Sequence, residues 1–319
     1  MVLINGWNLR VQSKNQNSIC NTYIDLRQRE IKINNLVPLI FVILWSSAFI
    51  TSKIIVDNGS PFFSLSFRFG LVAILFFIFF LIFSNSKKIT FRNFFDASIS
   101  GLLFHGLYLG GVFYALSKGI SASVIALIVS LTPILTSVLA KIYLNEIFSK
   151  MQWIGTLLGF TGAVIIIFSD LKEGLSLIAV FAGLIGLISS SIGMIWQKRI
   201  SSNMSLSGNN FIQALSASVF HLILALLFEN YHMNFTYDFI FAMSWQIIAI
   251  SLGAFLILMW LLKNKQANQT SSLYFLIPPF SALMAYFVLN EQMSYLDVIG
   301  LLISSVGVFF VIKFKNKTL

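Results

Sequence analysis

The sequence predicts an all-α polytopic membrane protein: ten transmembrane helices in two inverted five-helix repeats, with both termini cytoplasmic. Composition, a succession of apolar runs separated by polar turns, and an internal repeat predict it. Of 319 residues, 57% are hydrophobic and only 10% are charged, and the mean hydropathy is +0.87. A soluble domain carries about a quarter charged residues, so an ordinary soluble enzyme, a disordered chain and a disulfide scaffold are excluded. The long unbroken apolar runs also exclude the alternating strands of a membrane barrel. The single cysteine, Cys20, allows no intrachain disulfide. A net charge of +10 on a soluble protein would suggest nucleic acid. Here loops facing anionic lipid and the cytoplasm account for it, and no nucleic-acid partner is implied.

Taken in order, residues 1–34 are polar, lack the apolar core of a secretory signal and read as a cytosolic tail. The first span, 35–55, ends at Asp57-Asn58-Gly59-Ser60-Pro61. The second, 62–84, ends at Asn85-Ser86-Lys87-Lys88, and the third, 96–117, at Lys118-Gly119. The fourth, 121–143, carries Pro133 and stops at Asn145-Glu146; the fifth, 150–168, completes a first half covering 35–169. The second half, 175–313, holds spans 175–196, 209–228, 238–262, 268–289 and 294–313. Polar clusters after Ser201, Glu229, Lys263 and Asn290 separate them, as turn chemistry requires. Residues 314–319 form a basic cytosolic tail. Each run is close to the roughly 20 apolar residues a crossing needs.

The charges set an orientation. With the N-terminus inside, the inner segments hold all of the 21 Lys and Arg except Lys53, Lys118 and Lys172 at outer ends and Arg68 within a span. The positive-inside rule then places both termini in the cytoplasm. The halves also match at one offset. Pro133 falls on Pro278, Leu144-Asn145-Glu146 on Leu289-Asn290-Glu291, Gly155 on Gly300, Gly162 on Gly307, Ser46 on Ser191 and Lys53 on Lys198. Five spans per unit is an odd number, so the halves are inverted across the membrane. That arrangement suits a carrier working by alternating access, with a site near the midplane.

The stretch His105-Gly106-Leu107-Tyr108-Leu109-Gly110-Gly111-Val112-Phe113-Tyr114-Ala115-Leu116, then Ala122 to Leu127, Thr132-Pro133 and Leu144-Asn145-Glu146, resembles the EamA repeat. So do Trp45-Ser46-Ser47-Ala48-Phe49 and Pro61 with Arg68. EamA proteins belong to the drug/metabolite transporter superfamily, and the resemblance covers 35–313. It implies ten helices around a central cavity and a multi-pass carrier of the bacterial cytoplasmic (inner) membrane. Such carriers commonly export amino acids or other metabolites. The second half departs from the first: Ser190 stands at the position of Trp45 and Gln213 at that of Arg68.

Arg68 lies about two turns inside a span. An Arg there snorkels, pairs with Glu291 or Asp57, or holds a substrate carboxylate or phosphate with its planar fork. Lys53 and its mate Lys198 are either interfacial anchors or cationic gates at the two mouths. Glu146 and Glu291 anchor loops or form gating ion pairs. Pro133, Pro278 and Pro279 sit near the middle of spans four and nine, where a lost backbone donor marks an inert kink, a hinge or a binding region. His105 and Tyr108 share one helix face, which is expected to turn to a cavity. Trp45, Ser46, Ser190, Ser191, Gln213 and Tyr274 add walls and hydrogen bonds to that cavity, or belong to packing and interfacial belts. His105 and His221 are the intramembrane groups suited to proton coupling, or are buried neutral imidazoles; no metal spacing joins them.

The leading expectation is therefore export of small metabolites such as amino acids. A nucleotide-sugar or phosphorylated-solute exchanger, a lipid flippase and an intramembrane enzyme are the alternatives. No nucleophile–base pair, metal motif, deep carboxylate pair or P-loop is present for an enzyme, so no cofactor is expected. The partners implied are membrane lipid, a small-molecule substrate and, as one option, a second copy in a homodimer.

Overall fold

The computed structural model describes residues 36–83, 89–145, 148–170, 176–200, 204–265, 267–288 and 295–314. The chain divides into two compact units, Met1–Ile40 and Phe41–Leu319. Of the first, the described residues 36–40 open helix α1; the contacts that follow belong to the second. The described residues are almost wholly helical, and Gly59 and Met233 form an isolated antiparallel bridge.

The first half contributes α1 (Leu36–Asn58), α2 (Pro61–Phe83), α3 (Phe91–Ser117), α4 (Ala122–Leu144) and α5 (Lys150–Asp170). The second contributes α6 (Leu177–Ile200), α7 (Leu206–Phe228), α8 (Tyr237–Asn264), α9 (Gln269–Val288) and α10 (Tyr295–Lys313). Among the described residues eight helices, all but α5 and α10, are long and apolar enough to cross a membrane. α10 holds a shorter apolar stretch, Val298–Val311. Side-chain caps start several helices. Thr90, Ser121, Ser205 and Thr236 accept from the backbone N–H of Asn93, Val124, Gly208 and Phe239. Thr90 explains why α3 begins five residues before the expected span, and Ser205 why α7 begins three residues early. Leu144 is followed by Asn145 at φ 52°, a left-handed stop that asparagine tolerates.

Four interruptions come in two matched pairs. α3 widens to a π-helix over Leu102–Leu107, and α8, at the same place in the second half, over Gln246–Ala254. α4 is broken at Leu131, immediately before Thr132-Pro133. α9 tightens to a 3-10 turn over Leu273–Leu276, immediately before Ile277-Pro278-Pro279. The expected mid-span prolines are thus at true breaks, as the missing N–H dictates.

Packing follows the same pairing. α2 lies against α7, α4 against α9 and α5 against α10, while α3 lies against α6, and α8 binds α1 through Gln246 and Trp245. The α2–α7 pair is joined along its length. The Glu229 carboxylate accepts from the N–H groups of Phe62 and Phe63, at 2.8 and 3.0 Å, which satisfies the orphan donors that open α2. Ser66 Oγ donates to the Ser218 carbonyl and Ser218 Oγ to that of Ser66, at 3.0 and 2.9 Å. Phe77 packs on Phe211 near the other end.

The α5–α10 contact runs through Gly155 and Gly159 of α5 and Gly307 of α10. A Cβ added at Gly155 would lie 2.6 Å from the Gly307 carbonyl oxygen, so only glycine lets the backbones approach this closely. We expect Gly155→Leu to destabilise the fold by about 1–3 kcal/mol, measured as earlier thermal unfolding in detergent. Leu157→Ala, at a residue 60% exposed on the same helix, is expected to leave unfolding unchanged.

Candidate functional site

Four helices line a small cavity of about 30 Å³. α1 lines it with Trp45, Ala48, Phe49 and Ser52, one face at helical spacing. α2 supplies Arg68; α3 supplies Phe104, His105, Tyr108, Leu109 and Val112; α8 supplies Gln246, Ile250, Ser251 and Phe255. The two π segments supply three of the polar lining residues, His105, Gln246 and Ser251. Widened turns of this kind re-aim side chains and recur at functional sites.

Arg68 is 3% exposed. Its Nε and Nη2 donate to Ser251 Oγ at 3.2 and 2.9 Å, and its Cζ lies 5.0 Å from the Phe69 ring centroid. Asp57 is taken by Lys53 one turn away, and among the described residues no carboxylate reaches Arg68. A guanidinium with five donors thus has one hydroxyl as its side-chain acceptor. Gln246 stands beside it on α8. Its Nε2 donates to the Ala48 carbonyl, Thr51 Oγ1 and Ser52 Oγ, at 2.8, 2.8 and 3.0 Å. The Ala48 carbonyl can only accept, so the amide orientation is fixed. The Oε1 is then a buried acceptor with no partner. The cavity holds a cation without its anion and an acceptor without its donor.

The rings are held from behind. Trp45 Nε1 lies 3.4 Å from Tyr108 Oη, and Trp45 packs on Phe41, Phe104 and Tyr274. His105 is wedged between Phe255 and Phe69, at 4.4 and 4.9 Å between centroids, with Nδ1 unpartnered. The expected face of His105 and Tyr108 therefore does turn to a cavity.

Of the other expected site residues, Tyr274 is fully buried behind Trp45, with its hydroxyl unpartnered. Ser46 points away from the cavity and donates to the Ile277 carbonyl at the α9 break, 3.3 Å. Its repeat mate Ser191 approaches the Thr132 carbonyl at the α4 break, 3.5 Å, and Ser190 Oγ lies 3.0 Å from Thr132 Oγ1. These serines tie the first helix of each half to the broken helix of the other, and so sit with Pro133, Pro278 and Pro279. Gln213 is also outside the cavity. It donates to Gln197 Oε1 at 2.9 Å, and Ser100 Oγ donates to the same oxygen at 2.6 Å. At the repeat offset Gln213 and Gln197 are the mates of Arg68 and Ser52, so the second half holds a neutral cluster, with Gln197 Nε2 unpartnered, where the first holds a charged one. Lys53 and Lys198 also differ. Lys53 pairs with Asp57, whereas Lys198 donates to the carbonyls of Leu262 and Lys265 and caps the end of α8. Glu146 and Glu291 lie outside the described residues.

Ser52, Gln246, Ser251 and Phe255 were not singled out from the sequence. An amide within an apolar span was the available signal for Gln246; nothing local marks Ser251 or Phe255.

Comparison with known proteins agrees with this architecture. The model of the EamA-like transporter family matches twice, over residues 33–168 and 177–313. The chain is 28% identical over 210 residues to the uncharacterized transporter YvbV of Bacillus subtilis (strain 168), covering 65% of this chain and 67% of that one. It is 24% identical over 282 residues to the uncharacterized transporter YyaM of the same organism, covering 84% and 90%. A protein crystal structure with 17% identity superposes with a TM-score of 0.72, covering 88% of this chain and 97% of the other, a likeness of fold. With both family matches falling on the two five-helix halves, the chain belongs to the EamA-like transporter family.

Proposed function

We propose that the protein is a secondary carrier that exports small carboxylate-bearing metabolites, amino acids foremost, across the cytoplasmic membrane. In this reading all ten helices cross, the halves are inverted, both termini are cytoplasmic, and the halves rock around the cavity in alternating access. The observation that carries it is Arg68: a buried guanidinium with no described carboxylate, facing a closed cavity with an unpartnered amide oxygen nearby. Leaving a buried charge uncompensated is costly, and a substrate carboxylate would supply the missing anion through a bidentate pair. An ammonium group would suit Gln246 Oε1, and the Trp45, Phe104 and Tyr108 rings would enclose the substrate's apolar part. Arg68 is the one basic lining residue besides His105, which favours a singly charged acid over a diphosphate.

Mass spectrometry of spent medium from overproducing cells tests the direction and class. Selective accumulation of amino acids relative to empty-vector cells is expected, and an unchanged medium would count against export. In liposomes loaded with the accumulated solute, Arg68→Ala is expected to lower uptake by counterflow about 10- to 100-fold, the worth of a hydrogen bond to a charged group. Arg68→Lys keeps the charge but loses the fork, so an intermediate rate is expected, with membrane abundance unchanged in both. Ser251→Ala frees the guanidinium from its anchor and is expected to raise KM more than it lowers kcat. Gln246→Leu is expected to slow an amino acid more than the corresponding acid lacking the amine.

A further inference from the structure

Behind α3, on the face opposite the cavity, runs a second and larger hollow. α6 and α7 both pack on α3 but have little packing on each other. The gap between them is a groove of about 340 Å³, floored by Gly106, Leu107, Gly110 and Gly111. Its walls are apolar: Ile178, Phe181 and Ile185 from α6, Phe220 and Leu224 from α7. The glycines set its depth. A Cβ at Gly106 would stand 3.1 Å from the Phe220 ring and one at Gly110 3.0 Å from the His221 ring, so larger residues would push α3 outward.

The groove opens at one membrane face. Ile178 is in the first turn of α6, Phe62 in the first turn of α2, Leu224 in the last turns of α7 and Tyr114 in the last turn of α3. There Phe62 stacks on Tyr114 at 5.7 Å, and the exposed Lys118 places its Nζ 5.1 Å from the Tyr114 centroid. Glu229, which ends α7 at this mouth, is occupied by the Phe62 and Phe63 N–H groups, and Lys118 is the charged residue described against the Tyr114 ring. From Gly106 to Tyr114 the floor rises roughly 12 Å at 1.5 Å per residue, close to the ~15 Å depth of one leaflet's hydrocarbon.

We propose that this groove is a binding site for an anionic phospholipid. One acyl chain lies along the α3 glycines between α6 and α7, and the phosphate meets Lys118 over the Tyr114 ring. An apolar void in the bilayer forfeits dispersion contacts on its lining, and a chain entering from the leaflet restores them. α3 separates the groove from the cavity, since His105 and Tyr108 face one and Gly106 and Gly110 the other. The bound lipid is therefore a resident ligand and not cargo, and the site stands independently of the transport reading.

Native mass spectrometry of the full-length protein in detergent tests it, with dioleoyl phosphatidylglycerol and dioleoyl phosphatidylcholine titrated separately. The wild type is expected to retain the anionic lipid about fivefold more tightly at the first binding event, the worth of one basic residue at a lipid surface. Lys118→Gln is expected to abolish that preference while chain binding persists. Ile185→Trp, with Ile178→Trp as a second filling variant on the same wall, is expected to lower retention of both lipids. Equal retention of the two lipids by the wild type, a preference unchanged by Lys118→Gln, or retention unchanged by both filling variants would overturn the proposal.

Discussion

Every break in a membrane-crossing helix frees backbone groups that lipid cannot satisfy. Among the described residues two such breaks occur, in α4 and α9, and a side chain of the opposite half meets each of them. Ser191 and Thr132 meet at one break and Ser46 and Ile277 at the other, the same hydroxyl-to-carbonyl contact at repeat-related positions. Each contact joins opposite halves, while the Val129 carbonyl that Pro133 leaves without its helical donor accepts from Thr132 Oγ1 of its own helix. The breaks are thus where α1 meets α9 and α6 meets α4, beside the helices α1, α2, α3 and α8 that line the cavity.

The two halves share a backbone plan and differ in charge. Matched π segments and matched breaks show that the plan is common. Side chains then specialise it: Arg68 and Ser52 on one side, Gln213 and Gln197 at the equivalent places. The glutamine cluster is largely satisfied within itself, through Ser100 and the two amides. The Arg68 region is not, because a guanidinium has more donors than Ser251 can accept. A neutral cluster whose one unpartnered donor is Gln197 Nε2 costs less to bury than a charge; an under-satisfied cation attracts anything bearing an acceptor. Asymmetry at these few positions gives a repeated scaffold a charged cavity at one of two equivalent places.

Much of the helical layout was legible in the sequence, because crossing length and turn residues both follow from the thickness and polarity of the bilayer. The prolines marked the breaks, and Arg68, His105, Tyr108 and Trp45 marked the cavity. Ser46, Ser190, Ser191 and Gln213 were expected at the cavity too, and the structure takes them elsewhere. Sequence shows that a residue is polar in an apolar span and so needs a partner; it does not show whether that partner is a solute, a broken helix or another side chain. The π segments left no trace, since an inserted residue in a uniformly apolar stretch leaves hydropathy unchanged. Without them the contribution of Ser251 and Phe255 could not be read.

The joining of α2 to α7 has a mechanical meaning. Glu229 clamps one end, the reciprocal serines hold the middle, and Phe77 against Phe211 closes the other. The pair is a stiff beam, and it carries Arg68 on one helix and Gln213 on the other. A beam cannot bend to open both ends, so a tilt that loosens packing around the arginine tightens it around the glutamine. In the alternating access proposed above, leakage through a simultaneously open pathway is limited by the rigidity of two joined helices, without any dedicated latch.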